Sequence, residues 1–365
     1  MKRIFALLLV CLLLCGCGAA PQEPADTPPA DTTGTVPQET TGSTEPPETT
    51  APALQYENPL TGEKVAEKRT GKPTAVVVNN IKACMPQYGI ADADMFFEIE
   101  TEGGITRCLA VYTDLSETGT IGPVRSARTY FNNISAGFES VLIHCGGSVN
   151  ALQGRYDTSN KLDSWRHIDQ RFNGGYFYRD KDRREQGYAY EHTLFTTGDK
   201  LLAALEKKGY AKPSDKEMDY GYQFAEKPAM TGETAKNITV TFRGGKTTDL
   251  AYDAELGLYK ASQYKKDHID KNTGKAVTYR NVLVLQTKQW FEKESSYNRA
   301  YYNLTGKGEG YFACDGQIIP IKWSRKSVTD PFVYTLADGT PLTLGVGRSY
   351  IGVIATSGKA GVSYK

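Results

Sequence analysis

The stretch DMFFEIETEGGITRCLAVYT, residues 94–113, decides the fold. Two runs rich in aromatic and β-branched residues, DMFFEIE (94–100) and ITRCLAVYT (105–113), flank the turn-forming Glu102-Gly103-Gly104, and that pattern reads as two strands. TAVVVN (74–79) upstream and SVLIHC (140–145) downstream repeat it. Between them SARTYFNNISAG (126–137) has a helical pattern, with Ser126 placed to cap it. TTGDKLLAALEKKG (196–209) is the plainest helix: Leu201, Leu202 and Leu205 share a face, Lys207 and Lys208 suit its C-terminus, and Gly209 ends it. Residues 58–217 are therefore expected to form a mixed α/β first domain. From Met218 onward the chain reads as strands and turns: NITVTF, AYDAELGLYKA, TYRNVLVLQT, GYFACDGQIIPIKW, PFVYTLADGTPLTL and SYIGVIAT, with turn pairs at Asp315-Gly316 and Asp338-Gly339. Residues 218–365 are expected to form a mostly antiparallel β second domain, so the fold class is α+β.

The start of the chain fixes its compartment. Lys2 and Arg3 precede an apolar run from Ile4 to Leu14, the layout of a signal peptide and too short for a comfortable membrane span. The run ends in Leu14-Cys15-Gly16-Cys17, which resembles the bacterial lipobox, so residues 1–17 read as a lipoprotein signal with Cys17 as the lipidated residue. Two acyl chains, at about 0.8 kcal/mol per buried methylene, would anchor the chain stably. Residues 18–57 are dominated by Pro, Thr and Glu, with almost no large apolar side chain before Leu54. Such a segment cannot offset chain entropy by burial, and reads as a disordered, proline-stiffened stalk reaching on the order of 100 Å. The expected location is the outer face of the cytoplasmic membrane, held by the N-terminal lipid only, with the folded part projecting into the cell wall.

Charge and cysteines narrow the function. The chain carries 43 basic and 42 acidic side chains, which argues against a charge-driven nucleic-acid binder, and no nucleic-acid module is visible. Its 23 tyrosines suit either a recognition surface or a β-rich core. Besides the anchor, Cys84, Cys108, Cys145 and Cys314 remain in the mature chain. Cys108 and Cys145 sit in apolar runs, so free buried thiols are expected. No CxxC pair and no His/Cys cluster with zinc spacing occurs, and no metal or cofactor is expected.

Five motifs fall in one order: NPLTG (58–62), EGGITR (102–107), IGPVRSAR (121–128), HCGGS (144–148) and YRDKDR (178–183). On these the chain resembles the YerB-type bacterial lipoproteins, a two-part family of unassigned biochemical function, from about Asn58 to Thr356. The resemblance implies the same anchored topology and no reaction. The chain departs from the pattern twice. Met85-Pro86-Gln87 stands where the family has Arg-Pro-Gln, and Glu191-His192-Thr193 stands where it has Pro-His-Asn.

Four constellations carry candidate chemistry. Glu98, Glu100 and Glu102 alternate along one strand, so they would crowd one side and raise one another's pKa, which suits Glu102 as a general acid; a solvated strand face is the alternative. Arg125, Ser126 and Arg128 follow Gly122-Pro123; a Gly-Pro turn opening a helix offers N–H groups to an anion, and with Arg107 these arginines would hold a carboxylate or phosphate. Pairing with the glutamates is the other reading. His144 ends a strand before Gly146-Gly147-Ser148, where α/β folds place ligands, although a strand histidine is commonly a satisfied core group. Arg179, Asp180 and Arg183 lie in a charged loop leading to His192.

Three functions follow as expectations. One is an enzyme using Glu102 with His144 or His192 for proton transfer on an envelope polymer. Another is a module binding an anionic wall polymer, a cell-wall glycan, muropeptide or teichoic acid. The third is an interaction protein docking another envelope protein through its β-rich part.

Overall fold

The computed structural model describes residues 54–153, 166–212 and 218–365. Cys17, the signal segment and nearly all of the stalk lie outside the described residues. The two runs of the opening stretch are antiparallel neighbours, Met95–Glu100 against Thr106–Tyr112, in a sheet of eleven strands. On one side the sheet continues through Thr74–Asn79, Val141–His144 and His167–Asp169. On the other it continues through Ser349–Ala355, Asn281–Thr287, Gly306–Cys314, Gln317–Arg325 and Glu233–Thr234, with Val333–Thr335 beside Gln317–Arg325. Strands from the two regions of sequence thus pair directly, Ser349 opposite Met95 through Val353 opposite Ile99. The structure is mostly strands with few helices.

Successive side chains of a strand point to opposite faces, and here both faces are covered, which is why these runs are apolar throughout. Val76, Val78, Phe96, Ala110, Tyr112 and Ile143 belong to one core. Ala75, Val77, Phe97, Ile99, Leu109 and Leu142 belong to the other. A second sheet covers the first core. It runs Lys266–Asp267, Leu258–Gln263, Thr247–Asp253, Asn237–Thr241, Gly361–Tyr364, with Thr278–Tyr279 beside Leu258–Gln263. The helix Gly198–Lys207 lies on the same side, capped by Thr197 whose hydroxyl accepts from the Lys200 N–H at 3.3 Å. The helix Thr129–Gly137 covers the second core through Tyr130, Phe131 and Ile134.

Several local expectations are corrected. The helix expected to begin at Ser126 starts at Thr129, and Arg128 takes the cap position without a side-chain cap bond. The segment before it is extended: Gly122 bridges Tyr88, Val124 bridges Val78, and Ala127 bridges Gly147. Leu202 turns outward at 39 % exposure and Ala204 is buried in its place, because the inward stripe passes through 201, 204 and 205. Cys84, Cys108 and Cys314 are free and buried, and Cys145 is free and partly buried.

The glycines of the opening stretch have a local cause. Gly103 and Gly104 have φ of 78° and 70°, a region that costs any other residue energy, and they turn the chain between its two strands. A side chain at Gly244 would stand 2.5 Å from the Gly104 Cα, so this turn abuts the 242–246 turn of the second sheet backbone to backbone. The Gly244 N–H donates to Glu100 there, at 2.6 Å.

Candidate functional site

Six of the sheet's strands run parallel, and Asn79, Glu100 and His144 all end their strands at one edge, the edge where mixed and parallel sheets hold ligands. The 122–128 segment crosses that edge. The Asn79 N–H donates to the Pro123 carbonyl at 2.9 Å, Arg125 N–H to Val77 at 2.8 Å, and Cys145 N–H to Arg125 at 3.0 Å. This placement, and not a helix, brings Arg125 and Arg128 beside Arg107, which begins the antiparallel strand.

Arg107 is the unusual member. It is 5 % exposed, it donates from Nη1 to the Ser126 carbonyl at 2.8 Å, and it has no carboxylate within 4 Å among the described residues. Burial, then repulsion from Arg128, lowers it to about 9, so it remains charged at neutral pH. Arg125 reaches Glu191, 3.0 Å from Nη1 to Oε2 and 3.1 Å to the carbonyl. Ser126 contributes its carbonyl to Arg107 and does not cap a helix.

Glu102 is not a general acid with a raised pKa. Arg128 grips it with two hydrogen bonds, Nε to Oε1 at 2.9 Å and Nη2 to Oε2 at 2.8 Å, and Arg299 stands 3.4 Å away. Burial acts to raise its carboxyl, but Arg128 outweighs burial and holds it at about 2. The expected crowding of three glutamates does not arise, because each has its own partner. Glu100 takes the Gly244 N–H, and burial leaves its pKa raised.

Glu98 is fully buried at the interface with the second sheet. Its Oε1 accepts from Asn80 at 2.8 Å, Thr106 at 2.6 Å and the Lys246 ammonium; its Oε2 accepts from Thr248 at 2.7 Å, Tyr350 at 2.9 Å and Gln263 at 3.3 Å. Burial opposes ionisation, yet Lys246 and these donors lower its pKa overall. The network extends through Asn80 and Asn79 to Gln87, whose amide also meets His268 Nε2 at 2.5 Å, and from Asn79 Nδ2 to His192 Nδ1 at 3.0 Å. Sequence reasoning missed Asn79, Asn80, Gln87, Lys246 and His268 as a connected set. An Asn-Asn pair ending a buried apolar strand was the only local signal.

The histidines stand apart. His144 is fully buried; its Nδ1 donates to the Gly146 carbonyl at 2.7 Å and its Nε2 accepts from His167 at 3.0 Å, which fixes a neutral tautomer. Burial lowers its pKa to about 4, with Asp169, 4.0 Å away, pulling the other way. His192 accepts from Asn79 and lies 3.7 Å from Glu191. Burial lowers its pKa too. Among the described residues no hydrogen bond joins Glu102 to either histidine, so the expected acid–base pair is not assembled.

The charged loop is structural at two of its three residues. Asp180 caps the short helix Lys181–Glu185 by accepting the Arg183 N–H at 2.8 Å. Arg183 is 4 % exposed, its guanidinium bonded to the carbonyls of Cys84, Pro86 and His192 and packed over Tyr88, Tyr188 and Phe195, which leaves nothing for a ligand. Arg179 keeps partial exposure, stacked 3.9 Å over Tyr190.

Comparison with known proteins agrees over the same span. Residues 60–211 match the N-terminal domain, and residues 238–351 the C-terminal domain, of a protein family of unknown function, DUF3048. "Putative lipoprotein YerB" of Bacillus subtilis is 31 % identical over 320 residues, covering 85 % of this chain and 90 % of the relative. The crystal structure of the Bacillus subtilis YerB protein superposes with a TM-score of 0.71 at 28 % identity, over 85 % of this chain and all of that one. The chain belongs to the two-domain DUF3048 family, of which YerB is a relative.

Proposed function

We propose that this chain is a membrane-anchored lipoprotein that binds an anionic cell-envelope polymer, a muropeptide carboxylate or teichoic acid phosphate, at Arg107, Arg125 and Arg128. The observation that carries the reading is Arg107: a buried guanidinium without a carboxylate partner, at a ligand-binding edge and flanked by two more arginines. A buried cation beside like charges is costly unless an anion completes it, and a bidentate oxyanion fits the guanidinium fork. Binding is favoured over proton transfer because Glu102, His144 and His192 already hold partners of their own. The anchor is Cys17, and its relative's printed name supports that reading.

The test is co-sedimentation of the purified full-length chain with insoluble wall sacculi, before and after removal of teichoic acid. Retention should weaken with salt. It should fall about tenfold in Arg107→Gln, the loss of one charge-assisted contact of ~1.5 kcal/mol. A wild-type chain that stays in the supernatant from both preparations would falsify the reading.

A further inference from the structure

A cavity of about 340 Å³ opens between the 82–86 loop and the Leu258–Gln263/Lys266–Asp267 hairpin, away from the arginine site. That size lies at the lower end of small-molecule pockets, roughly 300–1,000 Å³. Met85, Pro86, Tyr264 and Ile269 form partly exposed, largely apolar walls. Its polar group is His268, 2 % exposed. Gln87 uses its amide nitrogen on Asn79 and Asn80, so its oxygen accepts from His268 Nε2–H. Nδ1 is thereby a bare acceptor, and no described residue donates to it. At the rim the ammoniums of Lys82 and Lys266 are exposed, with Asp267 beside them.

The turn that closes this cavity is held in a costly conformation. Tyr264 and Lys265 have φ of 53° and 63°, a two-residue hairpin turn that ordinarily selects Asn and Gly. Tyr264 is kept there by its hydroxyl, which donates to the Asn80 carbonyl at 2.6 Å. An aromatic residue in this backbone region points to a constraint beyond turn formation, and its ring walls the cavity.

We infer that the cavity binds a small aromatic carboxylate with a hydroxyl at the far end of its ring. The hydroxyl donates to His268 Nδ1, the ring fills the space between Met85, Pro86, Tyr264 and Ile269, and the carboxylate meets Lys82 and Lys266. The site is independent of the arginine edge.

Saturation-transfer NMR on the full-length chain tests this with three probes. 4-Hydroxyphenylacetate should bind saturably. Phenylacetate, lacking the donor, should bind about tenfold more weakly, as expected for one lost hydrogen bond. Tyramine, an ammonium in place of the carboxylate, should be weaker again. Lys82→Glu with Lys266→Glu changes only exposed side chains and should reduce 4-hydroxyphenylacetate binding at least as much, whereas Arg107→Gln should leave it unchanged. No saturable binding of 4-hydroxyphenylacetate overturns the inference, as does binding indifferent to the hydroxyl and to both lysines. Because Arg107→Gln affects only wall retention, failure here and failure of the polymer site are told apart.

Discussion

His144 shows how a residue's surroundings decide what its position suggests. A strand-end histidine before a Gly-Gly turn has the address of a proton-transfer group, but this one is buried and bonded at both ring nitrogens. Its consequence is for stability. The unfolded chain takes up its proton near pH 6.5, the folded chain only near 4. Between those values the unfolded state holds more protons, so the residue's contribution is complete above about pH 6.5 and is lost as pH falls toward 4, in all roughly 3 kcal/mol. Urea unfolding at a series of pH values should show a shallower acid loss in His144→Asn than in the parent. Part of the slope will persist, since burial also lowers His268 to about 4. Parallel curves for parent and variant would rule this account out. Glu102 acts in a lower window. Held at about 2, it stabilises above its unfolded value near 4.5 and is lost as pH falls toward 2, so Glu102→Gln should leave the curve between 6.5 and 4.5 unaltered.

At the scale of elements, the strand Met95–Glu100 and the 242–246 turn are joined by the Glu98–Lys246 pair, both side chains nearly inaccessible. Removing one member leaves the other charge buried and alone. Glu98→Gln and Lys246→Met should each cost about 3–5 kcal/mol, whereas the double replacement should cost well under their sum, because neither charge is then stranded. Denaturant unfolding of the four-member cycle measures the coupling, and strict additivity would show that the pair is not the joint. The same pair marks the limit of what could be read locally. The strands of residues 74–113 were legible because an unbroken apolar run needs two covered faces, and the Gly-Gly turn because it needs positive φ. The helix at 129 was set too early because Ser126 has a capping side chain, yet the backbone there follows a strand edge. The arginines at 107, 125 and 128 were correctly grouped, on the wrong premise of a helix end. Glu98 was noticed as a charge among apolar residues, but its partner lies 148 positions away and no local spacing announces it.

For the whole molecule, the order of strands carries a consequence that the order of sequence hides. The family's two segments end and begin at 211 and 238, yet their strands interleave in space: Ser349–Ala355 sits between Met95–Glu100 and Asn281–Thr287, parallel to both. The second sheet, wholly from the later segment, covers the face bearing Phe96 and Glu98. A fragment of residues 54–212 would therefore expose the open edge of a central strand, an uncovered apolar face and an unpaired buried carboxylate together. An unprotected edge of this kind templates aggregation, and the lost cover removes much of one core. Expressed alone, that fragment should be insoluble or lack cooperative thermal unfolding by near-UV circular dichroism. Co-expression with residues 218–365 as a separate chain should restore a soluble complex, because the missing link at 213–217 contributes no strand to either sheet. A fragment that is soluble and unfolds cooperatively by itself would mean the shared sheet is dispensable to the first segment. It would then follow that the arginine edge, built entirely from residues 79–192, can be assayed without the second sheet.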